Sequence, residues 1–183
     1  MTPAATARAA PADKRVHIIQ GEYHVSDDPG VTIVTVLGSC VAAAIRDPMS
    51  AIGGMNHFLL PGDDDEQLVR QNGIHLMESL LNGMVRRGAQ PNRMEAKLFG
   101  GARIVPGLSD VGSMNITFAE RFLSAAGILV IGRSVGGRLG RRVEYRPIGG
   151  LARVQPISSE PEYRSMEKAV RQPNTNAALI QLF

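Results

Sequence analysis

The chain contains one cysteine and four histidines, and these set what nucleophilic chemistry is open to it. Cys40 follows Gly38 and Ser39 at the end of an apolar run. A thiol becomes an effective nucleophile when an imidazole within hydrogen-bond reach takes its proton. The segments Val41 to Arg46 and Ala51 to Leu60, around Asp47-Pro48-Met49-Ser50, read as a β-hairpin. With Pro48 and Met49 as the loop, Cys40 faces His57, and directly opposed Cβ atoms lie about 4.5–5.5 Å apart. Ala42, Ala44, Gly53 and Met55 share that face, where their size is expected to leave room for a substrate chain. Backbone N–H groups near Ser39 to Val41 are expected to hold an oxyanion. A slip of one residue would move His57 to the other face.

The remaining candidates are weaker. His17 and His24 flank a short predicted strand, and His75 lies in a predicted helix beside Ile74, ordinary places for an imidazole. A thiol with one imidazole falls short of a zinc ligand set. Asp63 to Glu66 lacks the alternating oxygen ligands and distal glutamate of a calcium loop. Gly136-Gly137-Arg138-Leu139-Gly140 is followed by no Lys-Ser/Thr and reads as a turn. No cofactor and no metal are expected.

The elements that must position Cys40 and His57 follow from patterning. Hydrophobic residues make up 44% of the chain and charged residues 20%, the balance of a soluble globular protein. Val31 to Leu37, bounded by Gly30 and Gly38, reads as a buried strand. Further strands are expected at His17–Ile19, Met94–Phe99, Ile128–Ile131, Arg142–Arg146 and Leu151–Ile157. Ile74, Met77, Leu80, Leu81, Met84 and Val85 recur at helical spacing, and Ser113 to Ala126 forms a second helical stretch. Residues 1–15 read as a tail, 16–157 as one domain, and 158–183 as an extension with a short helix around Met166 to Arg171. The fold class is α/β or α+β.

Several functions are disfavoured by composition. Aromatics are 4%, Trp is absent, and the net charge of +3 is spread over scattered arginines, a poor basis for nucleic-acid binding. No apolar run is long enough to insert into a membrane. A lone cysteine fits a reducing, cytoplasmic setting.

Taken together, Leu37-Gly38-Ser39-Cys40-Val41, the Asp47-Pro48 turn, Gly53-Gly54-Met55-Asn56-His57 and Ala96-Lys97-Leu98-Phe99-Gly100-Gly101-Ala102 resemble the CheD family of chemoreceptor glutamine deamidases. Gly21-Glu22-Tyr23 and Val135-Gly136-Gly137 through Gly140-Arg141 extend the likeness. The resemblance implies a four-layer α/β/β/α sandwich with mixed sheets, similar to the deamidase domain of cytotoxic necrotizing factor toxins. It implies deamidation of glutamines on methyl-accepting chemotaxis receptors, with Cys40 as nucleophile and His57 as base. It also implies a threonine a few residues before the cysteine. The position expected to match carries Val34, with Thr35 adjacent, so either Thr35 serves after a small shift or a backbone carbonyl orients His57. Ser39, Gly100 and Gly101 are expected at the substrate, with Gly136-Gly137, Arg138, Arg141 and Arg142 on the docking rim. The alternative is a regulatory binding module that docks on receptors or on a CheC-type phosphatase.

Overall fold

The computed structural model describes residues 13–60, 66–104 and 110–171. Among the described residues, nine strands form two mixed sheets. β1 (Lys14–His17), β3 (Val31–Leu37), β8 (Gly140–Arg146) and β9 (Leu151–Ile157) make the first, in the order β1-β3-β8-β9. β2 (Glu22–Ser26), β5 (Ile52–His57), β4 (Val41–Asp47), β6 (Glu95–Gly100) and β7 (Leu129–Val135) make the second, in the order β2-β5-β4-β6-β7. The β1–β3 and β6–β7 pairs are parallel and the others antiparallel.

Three apolar layers hold the arrangement together. Ile33, Leu37, Ala42, Ala44, Met55, Phe99, Val143 and Tyr145 pack between the sheets. Met77, Leu80 and Met84 of α1 (Glu66–Arg86), with Ala119 and Leu123 of α2 (Val111–Ala125), cover the outer face of the second sheet. Val36 and Ile157 on the outer face of the first sheet meet Tyr163 and Met166 of α3 (Glu160–Arg171). The molecule is therefore the expected α/β/β/α sandwich. Fully burying side chains such as Ile33 or Leu37 contributes about 1.5–3 kcal/mol each, so most of the stability resides in these layers.

β3 shows how the layers fix side-chain direction. It is buried along its whole length because β1 and β8 flank it while apolar layers lie on both faces. Successive side chains alternate between faces. Ile33 and Leu37 point between the sheets and Val36 points at α3, so Thr35 shares the inner face and Val34 the outer. Beyond the second sheet, α2 begins at Asp110, whose carboxylate accepts from the Ser113 N–H as an N-cap.

Several features differ from the sequence expectation. The first strand spans Lys14–His17 in place of the expected His17–Ile19. β2 was not anticipated, since only Val25 and Ser26 of its residues are buried and it lies at a sheet edge. The C-terminal helix begins at Glu160, earlier than the expected Met166. The Asp63 to Asp65 part of the acidic run lies outside the described residues.

Candidate active site

The hairpin that carries the thiol and imidazole has a longer loop than Pro48-Met49. Asp47 pairs with Ile52 and Ala44 with Met55, leaving Pro48 to Ala51 in the turn. Asp47 accepts from the N–H groups of Met49 and Ser50 at 3.0 and 3.3 Å, and Ala51 adopts φ 54°. The expected register is thereby displaced by two residues. Val41 and Phe58 exchange two backbone hydrogen bonds of 2.9 Å, so Ala42, not Cys40, lies opposite His57. A shift of two conserves facing. Cys40 and His57 still project to the same side of the sheet, in a diagonal relation that side chains of this length span.

That side is the inter-sheet layer. Ala42, Ala44 and Met55 are packed against the first sheet and do not line a substrate channel, contrary to expectation. The small side chains of Ala42 and Ala44 let the sheets approach at this end. Gly53 serves a related purpose, since a Cβ there would stand 2.6 Å from the Pro147 carbonyl.

From the facing sheet, Thr35 meets the imidazole. Its Oγ1 lies 2.8 Å from His57 Nδ1 and donates to the Ile18 carbonyl at 2.8 Å. A hydroxyl has one proton. With that proton on Ile18, Thr35 accepts from Nδ1–H, which places the neutral ring's lone pair on Nε2. Both residues are buried, Thr35 at 0% and His57 at 6% exposure. Of the two orienting groups left open by the sequence, the structure places the Thr35 hydroxyl against the ring.

Cys40 is 9% exposed and lies in no disulfide. The three carbonyls that lead into β4 are each held. Gly38 accepts from Ala102 N–H at 2.8 Å, Cys40 from Gly101 N–H at 2.7 Å, and Ser39 from Asn115 Nδ2 at 3.0 Å. Gly100 and Gly101 are what allow this approach. Their φ values are +99° and +66°, and a Cβ on Gly100 would stand 2.1 Å from the Cys40 carbonyl oxygen. Both are buried, so they support the cysteine from beneath and do not form an exposed rim. The Val41 N–H is committed to Phe58, which narrows the expected oxyanion donors of this segment to Ser39 and Cys40.

Two residues at the site were missed from sequence. Asn115, 0% exposed, accepts from Leu60 N–H at 2.8 Å while donating to Ser39. It ties the cysteine loop and the end of the histidine strand to α2. Gln20, in the β1–β2 connection, places Oε1 3.8 Å from Cys40 Sγ. Neither stands in a pattern that marks it, since both contacts are made across long sequence separations.

Elsewhere, burial and Arg142 lower the His17 pKa, and burial with Arg87 and Lys14 lowers that of His24. Arg141 is buried and donates to the carbonyls of Ser134 and Gly136, so it fastens the β7–β8 turn and does not belong to an exposed rim. Arg142 pairs with Glu144 at 3.2 Å. Among the described residues no group of three or more His, Cys, Asp or Glu could hold a metal ion, and no helix is long and apolar enough to cross a membrane.

Residues 59–156 match the family model described as CheD chemotactic sensory transduction. A Sinorhizobium medicae protein named "Probable chemoreceptor glutamine deamidase CheD" is 48% identical over 160 residues, covering 85% of this chain and 87% of its own. An Agrobacterium fabrum protein of the same name is 49% identical, covering 87% and 90%. Among solved structures, the Bacillus licheniformis hypothetical protein YfiH aligns with a TM-score of 0.42 at 15% identity, over 68% of this chain and 60% of that one.

Proposed function

The chain belongs to the CheD family, and from that premise we propose that it is a chemoreceptor glutamine deamidase in which Cys40 is the nucleophile and His57 its base, oriented by Thr35. The observation that carries the residue assignment is the Thr35–His57–Ile18 chain of hydrogen bonds, which directs the basic nitrogen away from Thr35 on the face shared with Cys40.

His57 Nε2 takes the thiol proton, and the thiolate attacks the side-chain carbonyl carbon of a receptor glutamine. The tetrahedral oxyanion collapses, the C–N bond breaks, and ammonia leaves with the proton held by His57. Water then gives a proton to His57 and adds to the thioester. Glutamate departs and the thiol is restored. Ser39 and Cys40 lie beside the oxyanion, while Gly100 and Gly101 hold the cysteine loop in place. Each element of this chemistry is a side chain or backbone group of the protein, acting in the cytoplasm on the helical signalling portion of receptors. Docking on a CheC-type phosphatase rests on the family resemblance alone, and co-purification with such a phosphatase tests it.

Intact mass of a receptor cytoplasmic fragment is the direct test of turnover. Each deamidation adds about one dalton, the difference between amide and acid. Wild type is expected to add that increment and Cys40→Ala to add none. A Cys40→Ala variant that deamidates the fragment overturns the assignment. Unchanged chemotaxis with Cys40→Ala, with receptor binding intact, would favour the binding-module reading.

A further inference from the structure

We propose that Gln20 is a further catalytic residue, whose side-chain amide donates a hydrogen bond to the oxyanion formed when Cys40 attacks the receptor glutamine. The inference rests on the cysteine-hydrolase reading above.

The Gln20 carboxamide meets the thiol at 3.8 Å, and its own residue is exposed while Cys40 is nearly covered. It therefore stands on the solvent side of the sulfur, where the substrate amide must arrive. In the resting arrangement Oε1 accepts from Sγ–H. Half a turn about the terminal side-chain torsion, which is broad and roughly two-fold for an amide, brings Nε2–H to the same place. A side-chain amide aimed at developing negative charge is an established means of oxyanion stabilisation.

The connection that carries Gln20 is fastened to both sheets of the site. Ile18 N–H donates to the Val34 carbonyl at 3.0 Å and the Ile18 carbonyl accepts from Thr35. Gly21 N–H donates to the His57 carbonyl at 2.8 Å, at a backbone φ of +88° that suits glycine. The Glu22 carboxylate accepts from Ile19 N–H at 3.0 Å, and Glu22 N–H returns to the Ile19 carbonyl at 3.0 Å. The backbone on either side of Gln20 is thus held by the same hydrogen bonds that fix Thr35 and His57. That fixes the root of the side chain while its terminal amide can turn. With the Val41 N–H taken by Phe58, a side-chain donor would add to the Ser39 and Cys40 N–H groups.

The test compares wild type, Gln20→Ala and Gln20→Glu on a receptor cytoplasmic fragment, with the rate of Cys40 alkylation by iodoacetamide measured in parallel. Loss of one oxyanion donor is expected to lower kcat on the order of 10²-fold with KM little changed. Gln20→Glu should fall at least as far, since an ionised carboxylate only accepts. Alkylation should not slow in Gln20→Ala, because displacement of iodide forms no oxyanion and loss of an acceptor for Sγ–H does not disfavour the thiolate. Wild-type kcat in Gln20→Ala overturns the proposal. So does a parallel fall in kcat and alkylation, which would mark a residue that only positions the thiol. A gain of about one dalton in the wild-type peptide containing Gln20 overturns it too, since Gln20 would then be a substrate of Cys40. If wild type leaves the receptor fragment unmodified, the deamidase reading itself fails.

Discussion

Thr35 and His57 belong to different sheets, and the 2.8 Å contact between Oγ1 and Nδ1 joins those sheets at the end of the sandwich that carries Cys40. The orientation of the His57 ring therefore depends on how two sheets pack, and not on local sequence. A change that loosens the inter-sheet layer should reach catalysis through this one contact.

Thr35→Val keeps the shape and removes the acceptor, leaving a buried Nδ1–H whose desolvation costs about 1–3 kcal/mol. We expect kcat to fall on the order of tenfold or more as the ring loses its tautomer. Thr35→Ser should restore the rate, since it returns the hydroxyl acceptor to Nδ1–H. A Thr35→Val enzyme with wild-type kcat would remove Thr35 from the orienting role.

Much of this geometry was legible in sequence for physical reasons. β3 and β9 have the expected bounds because turn residues bracket the runs, Gly30 and Gly38 around β3 and Gly149-Gly150 before β9. The placement of Cys40 and His57 on one face survived an incorrect register because the displacement was even. The register itself depended on a loop capped by Asp47 with Ala51 in the left-handed region, a conformation that alanine does not announce. The Val34 or Thr35 ambiguity ended with side-chain alternation, once the two faces of β3 were assigned. Gly100 and Gly101 stood out by type, yet their purpose needed the position of the Cys40 carbonyl. Asn115 and Gln20 were illegible because their partners are remote in the chain.

Asn115 is expected to behave as a positioning residue. Asn115→Ala leaves the Leu60 N–H and the Ser39 carbonyl without a buried partner, and each such loss costs about 1–3 kcal/mol. Asn115→Asp keeps the acceptor for Leu60 but presents oxygen to the Ser39 carbonyl. Both variants should melt at lower temperature than wild type. Both should also alkylate more slowly at Cys40, since the cysteine loop loses its tether to α2. If thermal stability falls while kcat, KM and alkylation per folded molecule stay at wild-type values, Asn115 serves the fold alone.

The far end of the same hairpin gives a pH-dependent prediction. Asp47 is fully buried and accepts from Arg93 Nη2 at 2.6 Å and from Gln90 N–H at 2.9 Å, besides its two turn contacts. The Arg93 guanidinium, acting against burial and aided by the Gln90, Ser50 and Met49 donors, holds the Asp47 pKa well below the usual carboxylate range. The folded state thus binds this proton less readily than the unfolded chain, whose value is near 3.8. Its contribution to stability is complete above that value and declines as pH falls below it toward the folded pKa. Asp47→Asn removes the charge but keeps the size. At pH 7 it should melt several degrees below wild type, because Arg93 loses its partner and the turn loses an acceptor. The gap should stay constant down to about pH 4 and then narrow, as wild type alone begins to lose the ionised pair. Thermal melts of both proteins between pH 7 and pH 3 make the comparison. A gap that persists unchanged to pH 3 would show that the Asp47 charge contributes nothing, and that the variant's loss lies in turn geometry.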